Sequence, residues 1–296
     1  MTSRPTRLPS IRLPLSFAAL LLLLLFPAAC AGEERSVELG WTPDAPAVYR
    51  VSVSAESGFS GPVSDAEGAT DLTAALRVTP VSEAEAEVEV LYLAASVADA
   101  SGDSVALDLP DLRGSAATVR FAPPGVASEV TGDDRLLGAE IPLVSMEEVI
   151  LGLFPPLPEG NFGPADTWTG DVPSPFPNLG EEPVRARYVV GSVRPDGNGT
   201  AASVEGYELS VSPRAFTAPT AGDDVSGEGH LDLEFEGELA SGGGYTGTYR
   251  RATFDSDFLR LGGGGYANGS LRLVSEMEVE RLGPFEQMGL GLEAGE

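Results

Sequence analysis

A two-residue alternation of apolar and polar side chains runs through most of this chain. In residues 229–239, Leu231, Leu233 and Phe235 alternate with Asp232, Glu234, Glu236 and Glu238. Successive side chains of a strand point to opposite faces, so the pattern describes a sheet with one dry and one wet face. The same reading applies to residues 48–54, with Tyr49, Val51 and Val53 on the dry face, and to 70–79, 85–95, 184–193, 201–212 and 271–282. In 245–253 the alternation places Tyr245, Gly247 and Tyr249 together. Shorter alternations at 105–109 and 119–121 stop at prolines, and 254–261 is less regular. Turns are expected at 58–68, 132–134, 196–199, 242–244 and 262–265, where glycine recurs; Asp-Gly and Asn-Gly suit left-handed turn positions. Residues 213–224 read as a loop.

One helix start stands out. Ser145 can cap the first turn of Met146-Glu147-Glu148-Val149, and Glu148 can bond back to it as a capping box. Val144 and Val149 occupy the positions of a hydrophobic staple. The helix, near 145–154, stops at Pro155-Pro156 because the residue before a proline avoids helical geometry. Its shortness means that packing must hold it. Residues 154–177 are irregular and rich in proline, glycine and aromatics. They read either as a long connection packed on the sheets or as a binding loop.

The fold class expected is mostly β and antiparallel, with one short helix near 145–154. Dry sheet faces need a cover. A strongly curved sheet forming a half-barrel meets that need, as do two similar β lobes. The two halves share an outline, each opening on a Tyr/Val strand and continuing through glycine-rich turns. The expected organisation is an export signal over 1–29, a lipidated cysteine and spacer over 30–46, and an N-terminal β half over 47–142. The short helix and aromatic, proline-rich connection follow over 143–180, then a C-terminal β half over 181–283 and a tail over 284–296.

The chain begins with Arg4, Arg7 and Arg12, followed by an apolar core from Leu13 to Phe26. This is the pattern of a secretory signal, and the core is shorter than the roughly 20 residues of a membrane span. The ending Phe26-Pro27-Ala28-Ala29-Cys30 resembles the lipobox of bacterial lipoproteins; Pro27 stands where leucine is usual. The resemblance implies lipidation of Cys30 and export to a bacterial cell membrane or outer membrane, facing periplasm or exterior. Ordinary cleavage near Ala29 or Ala31, leaving a secreted protein, and an uncleaved anchor are the other readings. Cys30 is the only cysteine, which excludes a disulfide-built fold.

Composition narrows the chemistry. Three of the 18 basic residues lie in the signal, leaving 15 against 45 acidic ones, a balance of −30. Such a surface repels phosphates, so no nucleic-acid partner is expected. His230 is the only histidine, so a His/Cys zinc cluster is excluded. No Gly-x-Ser-x-Gly elbow accompanies it. The glycines at 262–265 lack the Lys-Ser/Thr of a phosphate loop, and Asp133-Asp134, Asp223-Asp224 and Asp255 with Asp257 form no EF-hand. No catalytic residue, cofactor or metal ligand is singled out, and the protein is read as noncatalytic.

Cys30, the alternating strands and the helix resemble, in architecture alone, bacterial periplasmic lipoprotein carriers and mycobacterial LppX-like lipoproteins. That resemblance spans about 45–283 and implies a curved sheet around a cavity for acyl chains. Phe154, Pro155, Leu157, Pro158 and Trp168 also resemble a segment of uncharacterised bacterial lipoprotein families. The candidate apolar-ligand cavity is Ile150, Leu151, Leu153, Phe154, Leu157, Phe162 and Trp168. Three functions stand in this order: a structural or protein-interaction lipoprotein, binding or transfer of a lipid or other apolar molecule, and last an enzyme. The partners are then the membrane, through the anchor, and an apolar small molecule or a protein.

Overall fold

In the structure, a computed structural model, residues 36–39, 45–61, 65–98, 102–122, 126–176, 183–196, 199–209, 214–219, 224–240, 245–261 and 266–289 are described. The export signal, Cys30, much of the spacer, Asp223, the centres of the expected turns at 197–198, 242–244 and 262–265, and the tail beyond 289 lie outside the described residues. In chain order the elements are β1 Val37–Leu39, β2 Ala47–Ser60, β3 Asp65–Ser82, β4 Glu85–Ala98, β5 Ser104–Ala106, β6 Ala116–Ala122, β7 Val126–Gly132, α1 Asp134–Leu137 and α2 Met146–Gly152. There follow β8 Gly160–Phe162, β9 Thr167–Val172, β10 Val184–Asp196, β11 Gly199–Glu208, β12 Arg214–Pro219, β13 Asp224–Ala240, β14 Tyr245–Leu261, β15 Tyr266–Arg281 and α3 Pro284–Gly289.

Thirteen strands form one antiparallel sheet, ordered β7-β6-β4-β3-β2-β15-β14-β13-β11-β10-β9, with β5 on β4 and β12 on β13. The N- and C-terminal strands meet between β2 and β15, in register from Tyr49 opposite Arg281 to Ser60 opposite Ser270. Both halves therefore belong to one curved sheet, a nearly closed half-barrel rather than two lobes. Register shifts in β3–β4, β10–β11, β13–β14 and β14–β15 contribute to its bending, because a bulge adds local twist.

The dry faces turn inward as the alternation demands. Val51, Val53, Leu72, Leu76, Val88, Val90, Leu231, Leu233, Leu273 and Val279 are buried in one core. Covering them are α1, α2, the proline-rich segment after α2, and the β1–β8 ribbon, whose Val37 and Leu39 are buried. Asp133 caps α1: its carboxylate accepts from the Arg135 backbone N–H at 2.9 Å and from Ser115 Oγ at 2.9 Å. Arg135 Nη2 donates to it at 2.8 Å and holds its carboxyl below the ordinary range.

Several boundaries differ from the sequence reading. β2 and β3 run to Ser60 and from Asp65, so the turn expected over 58–68 is shorter. The third residue of the turn at 132–134 begins α1. β12 lies within the loop expected over 213–224, β14 continues through 254–261, and α3 occupies the start of the tail. The irregular connection contains β8 and β9. In β9, Trp168, Gly170 and Val172 face inward, but glycine leaves no apolar side chain to show the period. A Cβ at Gly170 would stand 2.6 Å from Pro156 Cβ, so the missing side chain is the seat for the proline segment.

Candidate functional site

The centre of the half-barrel is a trough closed by α2 and the residues that follow it. Ser145 is the N-cap residue, extended at φ −100° and ψ 130°, but its side chain makes no capping bond. The capping box is therefore not formed, and Glu148 has a different role: it is half-buried and its charge acts on Arg250 of β14. The staple residues Val144 and Val149 are both buried.

The floor opposite α2 consists of Tyr188, Leu233, Phe235, Thr248, Arg250, Met277 and Val279. Gly152 lets the end of α2 lie directly on it, because a Cβ there would come within 2.6 Å of Met277 Sδ and 3.5 Å of Arg250 Nη2. Two side-chain hydrogen bonds hold the covering backbone. Tyr245 O–H donates to the Leu153 carbonyl, and Trp168 Nε1–H donates to the Pro156 carbonyl at 2.8 Å. Trp168 stacks on Tyr188 at 5.2 Å, Phe162 meets Trp168 edge-on at 5.6 Å, and Phe235 meets Tyr188 edge-on at 5.3 Å. On the other side Tyr49 stacks on Tyr245 at 4.8 Å. Between cover and floor lies a cavity of about 20 Å³, room for roughly one water molecule.

The residues that sequence placed in a ligand cavity separate into three groups. Leu151 and Phe154 line this small cavity. Ile150, Leu153 and Leu157 are buried in the core beside it. Phe162 and Trp168 are half-buried in the aromatic row.

The polar members of the site, Arg250 and Glu148, are not among the expected site residues. The 245–253 alternation would face Tyr245, Gly247 and Tyr249 inward together. A register shift between Glu238 and Leu239, opposite Gly247 and Tyr245, moves the next residues by one face. Tyr245 and Thr248 are buried, Arg250 follows them inward, and Tyr249 turns to the wet face beside Glu276.

Burial dominates the electrostatics. Loss of hydration raises the Glu148 carboxyl to about 7, the attraction of Arg250 opposing this and the repulsion of Glu147 adding to it. Loss of hydration lowers Arg250, opposed by Glu148 and Tyr188. Tyr188 is raised by its own burial and eased down by Arg250, and the buried Tyr245 phenol is raised as well. At the inward end of β11, burial also lifts Glu208 to about 7 despite Arg214 at 3.9 Å. On the outer face, Glu205, Glu236, Glu238, Glu278 and Glu280 surround a shallow, open depression.

No family model matches the chain, and no curated protein matches it. Among solved structures it is weakly similar to one described as lipid-protein interactions in lipovitellin, at 11% identity and a TM-score of 0.49. That match covers 82% of this chain and 25% of the other, so the chain spans about a quarter of that structure. DynF, from the dynemicin biosynthesis pathway of Micromonospora chersina, aligns over 86% of this chain and 89% of its own at 11% identity, with a TM-score of 0.23.

Proposed function

We propose that the protein is an exported, noncatalytic binding protein, tethered to a bacterial membrane through Cys30. In this reading its trough accepts an apolar molecule when the segment over α2 lifts. The lipobox-like Phe26–Cys30 ending supports the tether. The observation that carries the binding role is the construction of the trough: an apolar floor from β10, β13, β14 and β15 is covered by a short helix and a proline segment, with two side-chain hydrogen bonds holding the segment's backbone. Leu143 and Ala165, at φ 62° and 69°, bracket the cover with left-handed backbone that non-glycine residues adopt at a cost. A closed cover under strain at both ends suits a segment with a second position.

A structural or protein-interaction role is the second reading. It is favoured by the filling of the trough, which leaves about 20 Å³. Native mass spectrometry of the full chain carrying Cys30→Ser, purified from its producing cells, separates the two. A reproducible extractable lipid, and a shift of Trp168 emission in a Trp41→Phe background on lipid addition, support binding. An apo mass that gains nothing from a panel of lipids, with unchanged emission, removes the binding reading and leaves the structural one.

A further inference from the structure

Arg250 is a half-buried cation on the inner face of the sheet. It occupies an inward slot of β14 between Thr248 and Ala252, both buried. Its Nη2 donates to Met277 Sδ at 3.6 Å, a weak acceptor. It lines the small cavity with Leu151, Phe154, Tyr188 and Met277, and it keeps partial contact with solvent. Among the described residues it makes no ion pair; Glu148 acts on it only across a longer gap. Three arginines of the wet face behave differently: Arg50 meets Glu280 at 3.1 Å, Arg77 meets Glu89 at 3.0 Å, and Arg251, the next residue along, meets Glu276 at 3.4 Å.

A half-buried guanidinium without a close anion is costly to the extent that it has lost hydration, and Met277 Sδ replaces that hydration only weakly. In a chain with 45 carboxylates a close partner is easily supplied, yet Glu148 stays at a distance. Guanidinium offers a planar fork of donors that fits carboxylate or phosphate oxygens in pairs. The cation lines the small cavity between the floor and the cover.

We infer that Arg250 recognises the anionic end group, carboxylate or phosphate, of an apolar chain bound in the trough, with Glu148 serving as its distant counter-charge while the cover is closed. This rests on the apolar-binding reading proposed above, and it adds the chemical class of the ligand. Gly152 is part of the arrangement, since any side chain there would press on Met277, which accepts from Arg250. Glu148 competes with the incoming anion for the same cation.

The test uses the full Cys30→Ser chain and three probes with one hydrocarbon tail: oleate, oleyl phosphate and oleyl alcohol. Binding is read at pH 8 by equilibrium dialysis of labelled probe, below the concentration at which each self-associates. The expected result is an affinity for at least one anion about tenfold above that for the alcohol; which anion binds more tightly identifies the end group. Arg250→Met should bring the anion-to-alcohol affinity ratio down to about one, Arg250→Lys should keep part of the preference, and Glu148→Gln should strengthen anion binding severalfold. An undiminished preference in Arg250→Met, or equal binding of all three probes by the parent chain, overturns the assignment and spares the apolar-binding reading. Failure of the parent chain to bind any probe overturns both. Should Arg250→Met not fold, an anion-to-alcohol ratio unchanged in both Arg250→Lys and Glu148→Gln overturns the assignment.

Discussion

At the scale of single residues, Glu148 links this interior to pH. Arg250 of β14 and Glu147 on α2 are the charged groups that act on it, and Tyr188 of β10 acts in turn on Arg250. Its carboxyl is raised from 4.5 to about 7 in the folded protein. Between those values the folded state holds a proton that the unfolded chain has released, so stability falls as pH rises through the window and levels off above it. The full displacement corresponds to about 3 kcal/mol; partial solvent contact reduces this to about 1–2 kcal/mol. Glu148→Gln should therefore stabilise the protein by about that amount at pH 8, with the gain vanishing toward pH 4.5, as measured by urea unfolding across the range. A gain that is constant with pH would mean that Glu148 is ionised throughout. The sequence shows Ser145, Glu148 and the staple as a helix start, and the helix does start there. It does not show the use of Glu148, because Arg250 lies about a hundred residues away, and which way Arg250 faces depends on a register shift.

At the scale of elements, the cover is held by packing and two hydrogen bonds rather than by its own propensity, as expected for a helix of seven residues. Tyr245→Phe removes the donor to the Leu153 carbonyl within the buried core and should cost about 1–2 kcal/mol in global stability. If the cover opens as a unit, hydrogen exchange at 149–154 should accelerate more than exchange in β2 or β15. Ala165→Gly relieves a left-handed residue at one end of the cover and should be neutral or stabilising by up to about 1 kcal/mol. A loss above about 1 kcal/mol would show that the Ala165 side chain is needed where it stands. The sequence reveals the long strands well, because alternation is a local property. It conceals β9, where Gly170 interrupts the dry face to receive Pro156, and it misplaces Tyr249, where the shift at Glu238–Leu239 changes which side of β14 is dry. In both places contact between distant segments decides, and no local period records it.

At the scale of the whole molecule, the half-barrel presents its acidic residues outward in rows across the strands. Glu205 stands opposite Glu236, Glu236 opposite Tyr249, and Tyr249 opposite Glu278; in the adjacent rows Glu234 faces Arg251 and Arg251 faces Glu276. The wet face of most of the long strands is legible from alternation. Its assembly into rows is not, since the β2–β15 pairing that unites the sheet joins residues more than two hundred positions apart. Neighbouring strands lie about 4.8 Å apart, well inside the screening length of about 10 Å at 0.1 M salt. Like charges directly opposite one another destabilise a sheet, and a formal charge of −27 adds repulsion over longer distances. The bridges Arg50–Glu280, Arg77–Glu89 and Arg251–Glu276 oppose this, but exposed pairs contribute little. Repulsion should therefore win. Raising NaCl from about 0.02 to 0.5 M should stabilise the fold by about 1–2 kcal/mol and lift Tm by roughly 5 °C. The check is a calorimetric series at pH 8, repeated at matched ionic strength with magnesium chloride. Equal shifts with the two salts would mean general screening. A larger shift with magnesium would mean that the rows hold the divalent ion, and a falling Tm would show that the arginine bridges outweigh the repulsion.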